Sequence, residues 1–144
     1  MPEPAGYSGT PLVRKLGIKP DHLVLVVGAP AGFDLGELPE GASVHGRRGR
    51  IRYDVVLVFC PHRATLEHWF EPLMASLGPA SALWVAWPKK ASKVPTDLDE
   101  SGVRDHGLTA GLVDVKICAI DEVWSGLKFV YRLADRPTAS RIQA

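Results

Sequence analysis

The residues best suited to chemistry are three lysines that directly follow an apolar run. Lys89, Lys90 and Lys93 lie in the segment WPKKASK, behind the apolar residues 82–87. Ammonium groups beside exposed backbone amides can hold a phosphate or a carboxylate. The other interpretation is that the lysines are only solvated. The segment therefore predicts either an anion-binding site or a solvated basic loop.

A glycine-rich turn is the second candidate. The apolar run LVLVV leads directly into GAPAGF, which places Gly28, Pro30 and Gly32 in one turn before Phe33. Backbone amides in such a turn can contact a ligand, although Pro30 has no amide hydrogen to donate. The alternative is a tight turn that holds no ligand.

Trp124, Tyr7 and Ser8 complete the candidate ligand-binding set. Trp124 lies in DEVWSGLKF, where its ring either stacks on a flat ligand or caps the core. Tyr7 and Ser8 belong to the N-terminal segment and could close over the same site. Thr10 is instead expected to cap a short helix in which Pro11 occupies the first turn.

No residue is assigned a catalytic or metal-binding role. Cys60 and Cys118 lie in the apolar runs VVLVFC and VKICAI, which predicts two buried, reduced thiols. His62 follows Cys60 closely, but no third ligand is spaced for zinc. The basic run HGRRGRIR is expected to be a solvated loop, and recognition of a ribose phosphate is the alternative.

The composition fits one ordinary globular domain. The chain has 144 residues, of which 46% are hydrophobic and 23% charged, and its net charge is +1. This balance favours neither nucleic acid nor an acidic membrane as a partner, and no apolar run is long enough to span a bilayer. The N-terminus lacks the features of a signal peptide, so a cytoplasmic location is expected. Nothing in the sequence indicates an oligomeric state.

Apolar patterning predicts alternating helices and strands. Strands are expected over residues 23–27, 43–45, 55–60, 82–87, 113–120 and 127–133. Helices are expected over residues 11–17, over residues 63–77 with Pro72 kinking or ending the helix early and Gly78 closing it, and from residue 97, where Thr96 begins a capping box.

This order of elements predicts a three-layer, Rossmann-like α/β domain over residues 11–133. Its sheet is mostly parallel, with an antiparallel C-terminal strand because the last connection is short. Residues 1–10 are expected to be extended and residues 134–144 to form a flexible tail. The parallel strands would deliver residues 28–33, 60–63, 87–93 and 121–126 to one edge, where such sheets bind ligands.

The segment KLGIKPDHLVLVVGAPAG resembles the opening of Rossmann-like methyltransferases, which bind S-adenosylmethionine. In that family an acidic residue and a middle glycine stand where this chain has Val26 and Pro30. A carboxylate that holds the ribose stands at the end of the second strand, where this chain has His45. The resemblance implies the fold, and these differences predict that S-adenosylmethionine binds weakly or not at all.

The segments AGYSGTPL, WPKKASKVPTDLDE and WSGLKFV together resemble the actinobacterial domain-of-unknown-function family numbered 3052. This resemblance implies a family without an activity. The favoured function is a non-catalytic or regulatory domain with a degenerate nucleotide- or S-adenosylmethionine-type crevice, which binds a small anionic molecule or another protein. The alternatives are a small methyltransferase-like transferase with an atypical cofactor site and a protein-interaction module.

Overall fold

A six-stranded sheet forms the centre of the protein. The computed structural model describes residues 10–136. In these residues the strands are β1 (Leu23–Val27), β2 (Ser43–His45), β3 (Tyr53–Phe59), β4 (Leu77–Pro88), β5 (Leu112–Ala119) and β6 (Trp124–Tyr131). Their order is β2-β1-β3-β4-β6-β5. The strands β1 to β4 pair in parallel, and β6 is antiparallel to both β4 and β5. The predicted α/β class, with a mostly parallel sheet and an antiparallel C-terminal strand, is confirmed.

Helices cover the two faces of the sheet unequally. They are α1 (Leu12–Lys15), α2 (Arg63–Met74) and α3 (Glu100–Ala110), with single 3-10 turns at Lys90–Ser92 and Leu133–Asp135. The core under α2 and α3 contains Phe70 and Phe129, and the core on the other face contains Trp84 and Leu16, which directly follows α1. No helix follows β1 or β2, so within residues 10–136 this second face carries α1 and the loop after β1. No helix in residues 10–136 is long and apolar enough to cross a membrane.

The segment after α2 differs from the prediction. The helix ends at Met74 with Pro72 inside it, and Gly78 lies within β4 rather than closing the helix. Ser81 makes this possible, because its hydroxyl accepts from the Gly78 amide at 2.8 Å and donates to the Tyr53 carbonyl at 2.6 Å. The hydroxyl bridges β3 and β4 where their register shifts.

The predicted caps of α1 and α3 are wrong. Asp99, not Thr96, caps α3, and its carboxylate accepts from the Gly102 amide at 2.7 Å. The Thr96 hydroxyl donates to the Pro61 carbonyl at 2.7 Å, which ties the loop before α3 to the end of β3. In α1 the cap position is Pro11, and no side chain caps it.

Candidate functional site

The carboxyl ends of β1, β3 and β4 meet at one edge of the sheet, as the parallel pairing requires. Trp124 begins β6 opposite Pro88 at the end of β4, so the turn before β6 reaches the same edge. The Lys89 amide donates to the Val123 carbonyl at 2.8 Å and joins the two segments. The four segments expected at this edge are therefore all there.

The glycine-rich turn has the backbone that its glycines predict. Gly28 has φ +71°, and a Cβ there would lie 3.2 Å from the Phe59 carbonyl oxygen. Gly32 has φ +81° in a turn closed by the Phe33 amide on the Pro30 carbonyl at 3.1 Å. Because no helix begins after this turn, it lacks the helix N-terminus that usually strengthens an anion site.

A cleft of about 760 Å³ lies between α1 and the loop after β1. It is lined by residues 11–13, residues 32–39, Ile120 and Asp121, and we call it the acidic cleft. Its charged lining residues are Asp34, Glu37 and Asp121, and the rest of its lining is mostly apolar. The described residues that line it include no Lys, Arg or His.

Two of the three carboxylates are held in place by backbone amides. Asp34 accepts from the Gly36 amide at 2.8 Å through one oxygen. Asp121 accepts through one oxygen from the amides of Val123 and Trp124, at 2.8 and 2.9 Å. Each bond set orients the carboxylate through one of its two oxygens.

A second cleft of about 340 Å³ adjoins the first, across the loop after β1. It is lined by Val26 and Ala29 beside β1, by Val44 and Gly46 beside β2, and by Phe33, Asp34, Leu35, Gly36 and Leu38 of the loop. We call it the strand-end cleft. Among the described residues that line this cleft, Asp34 is the one that carries a charge.

The lysines do not line either of these clefts. Lys89 and Lys90 line a separate cleft of about 340 Å³ together with Asp99 and Glu100, whose carboxylates offset their charge. The Lys93 backbone has φ +61° at the end of the 3-10 turn. The structure thus brings Gly32 to the acidic cleft and leaves Lys89 and Lys90 at another place on the edge.

Trp124 belongs to a row of aromatic rings. The ring centroids of Phe33 and Phe59 are 4.8 Å apart and those of Phe59 and Trp124 are 5.1 Å apart, both pairs edge to face. Trp124 is half-buried and packs against the core on the α1 face. This packing supports its role as a cap on the core. Tyr7 and Ser8 lie outside the described residues.

The two cysteines have different environments. Cys60 is fully buried, and burial raises the pKa of its thiol to about 12. Such a thiol carries almost no thiolate at neutral pH, which argues against a nucleophile. Cys118 is only half-buried, so the prediction that both thiols are buried is wrong for Cys118. In residues 10–136 no three His, Cys, Asp or Glu side chains come together as a metal site.

The arginine-rich loop is built around one tyrosine. The Tyr53 hydroxyl accepts from the Gly49 amide at 2.9 Å and lies 3.2 Å from Nδ1 of His45. The Arg48 guanidinium donates to the Ser76 hydroxyl at 2.9 Å. These bonds give the loop a structural role.

The acidic residues of the cleft were not among the predicted site residues. Asp34 and Glu37 follow the glycine turn in a stretch without periodicity, which gave no signal. Asp121 follows β5, at one of the four segments expected at the edge, and that position could have identified it.

The fold has known relatives among solved structures. The chain is similar to a methyltransferase candidate from Thermoplasma acidophilum, with 10% identity, a TM-score of 0.52, and coverage of 87% of this chain and 76% of that one. It is also similar to a SAM-dependent methyltransferase from Aquifex aeolicus, with 15% identity, a TM-score of 0.49, and coverage of 81% and 86%. No protein-family model and no curated protein matches the sequence. The fold is therefore Rossmann-like and methyltransferase-like, and the resemblance to family 3052 stays a prediction.

Proposed function

We propose that the protein is a non-catalytic binding domain on a methyltransferase-like scaffold, and that its ligand occupies the acidic cleft. The observation that carries this proposal is the lining of that cleft. A volume of about 760 Å³ lies within the range of small-molecule sites, which are mostly apolar with a few placed polar groups. Three carboxylates on an otherwise mostly apolar lining favour a neutral or positively charged ligand with an apolar body. This proposal replaces the anionic ligand expected from the lysines.

Matched probes test the charge preference. Tryptamine, tryptophol and indole-3-acetate share an indole body and differ in charge from positive to neutral to negative. We expect tryptamine to raise the melting temperature most and indole-3-acetate least. A ligand at about 100 times its Kd adds about 2.7 kcal/mol, and about 2–4 °C per kcal/mol makes that shift measurable.

A charge-removing variant inside the cleft is compared with a matched control variant outside it. Glu37→Gln should reduce the preference for tryptamine over tryptophol, because Glu37 lines the cleft. Glu67→Gln removes the same charge from the exposed side of α2 and should leave the preference unchanged. No shift with any probe, or a largest shift with indole-3-acetate, would overturn the proposal.

S-adenosylmethionine is the ligand that the fold suggests, and the strand-end cleft fits it poorly. The acidic position of β1 is Val26, which is buried, and β2 ends in His45, beside the Tyr53 hydroxyl at 3.2 Å. Neither strand end offers a carboxylate to a ribose. We therefore expect calorimetry to show no micromolar complex with S-adenosylmethionine.

A small methyltransferase-like transferase is the second candidate function, and Asp34 favours it. This carboxylate stands on the strand-end cleft close to both β1 and β2, where it could replace the missing acid of β2. A micromolar complex with S-adenosylmethionine that weakens about tenfold or more in Asp34→Asn would support the transferase, since a charge-assisted hydrogen bond is worth about 1.5–3 kcal/mol. Absence of a complex supports the binding domain.

A further inference from the structure

A basic cleft lies on the other side of α1. It has a volume of about 490 Å³ and is lined by Thr10, Arg14 and Lys15, and by residues 116–119 of β5. Its charged lining residues are Arg14, Lys15 and Lys116, all positive, and no described carboxylate lines it. The Lys15 ammonium donates to the Ala119 carbonyl at 3.1 Å, which joins α1 to the end of β5.

Lys128 and Lys19 add to the positive charge of this region. Lys116 on β5 lies directly opposite Lys128 on β6, and like charges at such positions are destabilising. The Lys128 ammonium also lies 4.0 Å from the position of a Cβ on Gly17, just after α1. Burial lowers the pKa of Lys128, and the positive charges of Lys116 and Lys19 lower it further.

Neither Arg14 nor Lys116 forms an ion pair with another described residue. Both ion pairs of residues 10–136 are made by Arg104, on α3, with Glu100 and Asp114. The protein has a net charge of only +1, so the cluster is a local concentration rather than part of a generally basic surface. Among residues 10–136, the helix that covers this face of the sheet is the four-residue α1.

We propose that the basic cleft binds a small anion that carries phosphate groups. The guanidinium of Arg14 can hold phosphate oxygens through two parallel hydrogen bonds, and the ammonium of Lys116 can act as a point charge. A bound polyanion would also relieve the repulsion between Lys116 and Lys128. This site is separate from the acidic cleft, and its test does not depend on the function proposed above.

Cys118 provides a reporter inside this cleft. It lines the cleft and is partly exposed, whereas Cys60 is fully buried. Thiol reagents should therefore modify Cys118 first. The dianionic 5,5′-dithiobis(2-nitrobenzoate) and the neutral 4,4′-dithiodipyridine attack the same thiol, so the ratio of their rates measures the positive potential at Cys118.

The test uses pyrophosphate as the probe, with sodium chloride of equal ionic strength as the reference. We expect a saturable rise in melting temperature and protection of Cys118 from both reagents. The double variant Arg14→Gln, Lys116→Gln should lose both effects. It should also lower the rate ratio of the two reagents by about tenfold, the lower end of what a focused potential does to association rates. Both side chains are exposed, so the fold should tolerate the change.

The matched control is Lys89→Gln, Lys90→Gln, which removes the same charge from another cleft and should keep every effect. No shift beyond that of sodium chloride, or an equal shift in the Arg14 and Lys116 variant, would overturn the proposal. Binding of a single-stranded oligonucleotide about tenfold or more tighter than pyrophosphate, lost in the same variant, would identify nucleic acid as the ligand and would also overturn it.

Discussion

Replacing Gly107 in α3 with alanine would have two opposite effects on the stability of the protein. Glycine inside a helix costs about 1 kcal/mol relative to alanine, so helix propensity alone predicts that Gly107→Ala stabilises α3. A Cβ at this position would, however, overlap the ring of Phe129. That ring is fully buried and packs edge to face on Phe70, with centroids 5.4 Å apart, so it has little room to move. Overpacking of a core costs about 1–3 kcal/mol. Because the overlap involves three ring carbons, we expect the upper end of that range and a net loss of about 2 kcal/mol.

Urea unfolding of three proteins measures this balance. Gly102→Ala is the control, because it lies in the same helix. The atoms nearest to its Cβ would be the tip of the flexible Arg63 side chain, at 3.0 Å, and the capping oxygen of Asp99, at 3.2 Å, and each has to give by only a few tenths of an ångström. That variant should match or exceed the wild type in stability, by up to about 1 kcal/mol. A Gly107→Ala protein as stable as the wild type would show that Phe129 can move aside and would refute the reasoning.

Three other predictions concern the edge of the sheet. Trp124→Ala should lower the free energy of unfolding in urea by about 2 kcal/mol, because the variant loses buried area and an edge-to-face ring pair. If the variant instead lost binding of the indole probes while its stability stayed unchanged, Trp124 would be a residue that stacks on the ligand. Replacing Lys89 and Lys90 with alanine should change the stability of the protein by no more than about 0.5 kcal/mol, because the backbone amide of residue 89 keeps its bond to the Val123 carbonyl in the turn before β6. The same double variant should bind tryptamine as the wild type does in calorimetry. The backbone amide of Arg63 donates to Asp97 at 2.7 Å and lowers the pKa of that carboxyl from 3.8. The stabilisation from this hydrogen bond is therefore present above about pH 4 and is lost as the pH falls through the lowered pKa of Asp97. The difference in unfolding free energy between the wild type and Asp97→Asn should shrink on acidification. A difference that stays constant with pH would contradict the assignment.

The centre of the sheet could be predicted because β1, β3 and β4 are mostly buried on both faces. Such strands read as unbroken apolar runs, and β1 begins and ends where the sequence indicated. The exposed edge strand β2 also has the predicted bounds, although it is not an apolar run. The edge where the strands end followed from the parallel pairing. The limits of α2 and β4 did not, because the hydroxyl of Ser81 supplies hydrogen bonds that extend β4 back through Gly78, and a serine gives no such signal by itself.

The site was harder to predict than the fold. The acidic cleft depends on a loop without periodicity, which carries Asp34 and Glu37. The lysines were correctly placed at a strand end, yet the sequence could not show that Asp99 and Glu100, at the start of α3, stand beside them. The bond from Arg63 to Asp97 spans 34 residues and has no local signature. Long-range pairing of this kind is decided by the packing of loops.

Residues of helix α1 line two different clefts. Leu12 and Val13 line the acidic cleft, and Arg14 and Lys15 line the basic one. The helix has only four residues. Among the long-range bonds that hold it are those from the Trp84 ring nitrogen to the Leu16 carbonyl, just after the helix, and from Lys15 to the Ala119 carbonyl. A ligand that displaces α1 from one side changes the shape available on the other. By linkage, two such ligands would alter each other's affinity by the same factor, whichever binds first.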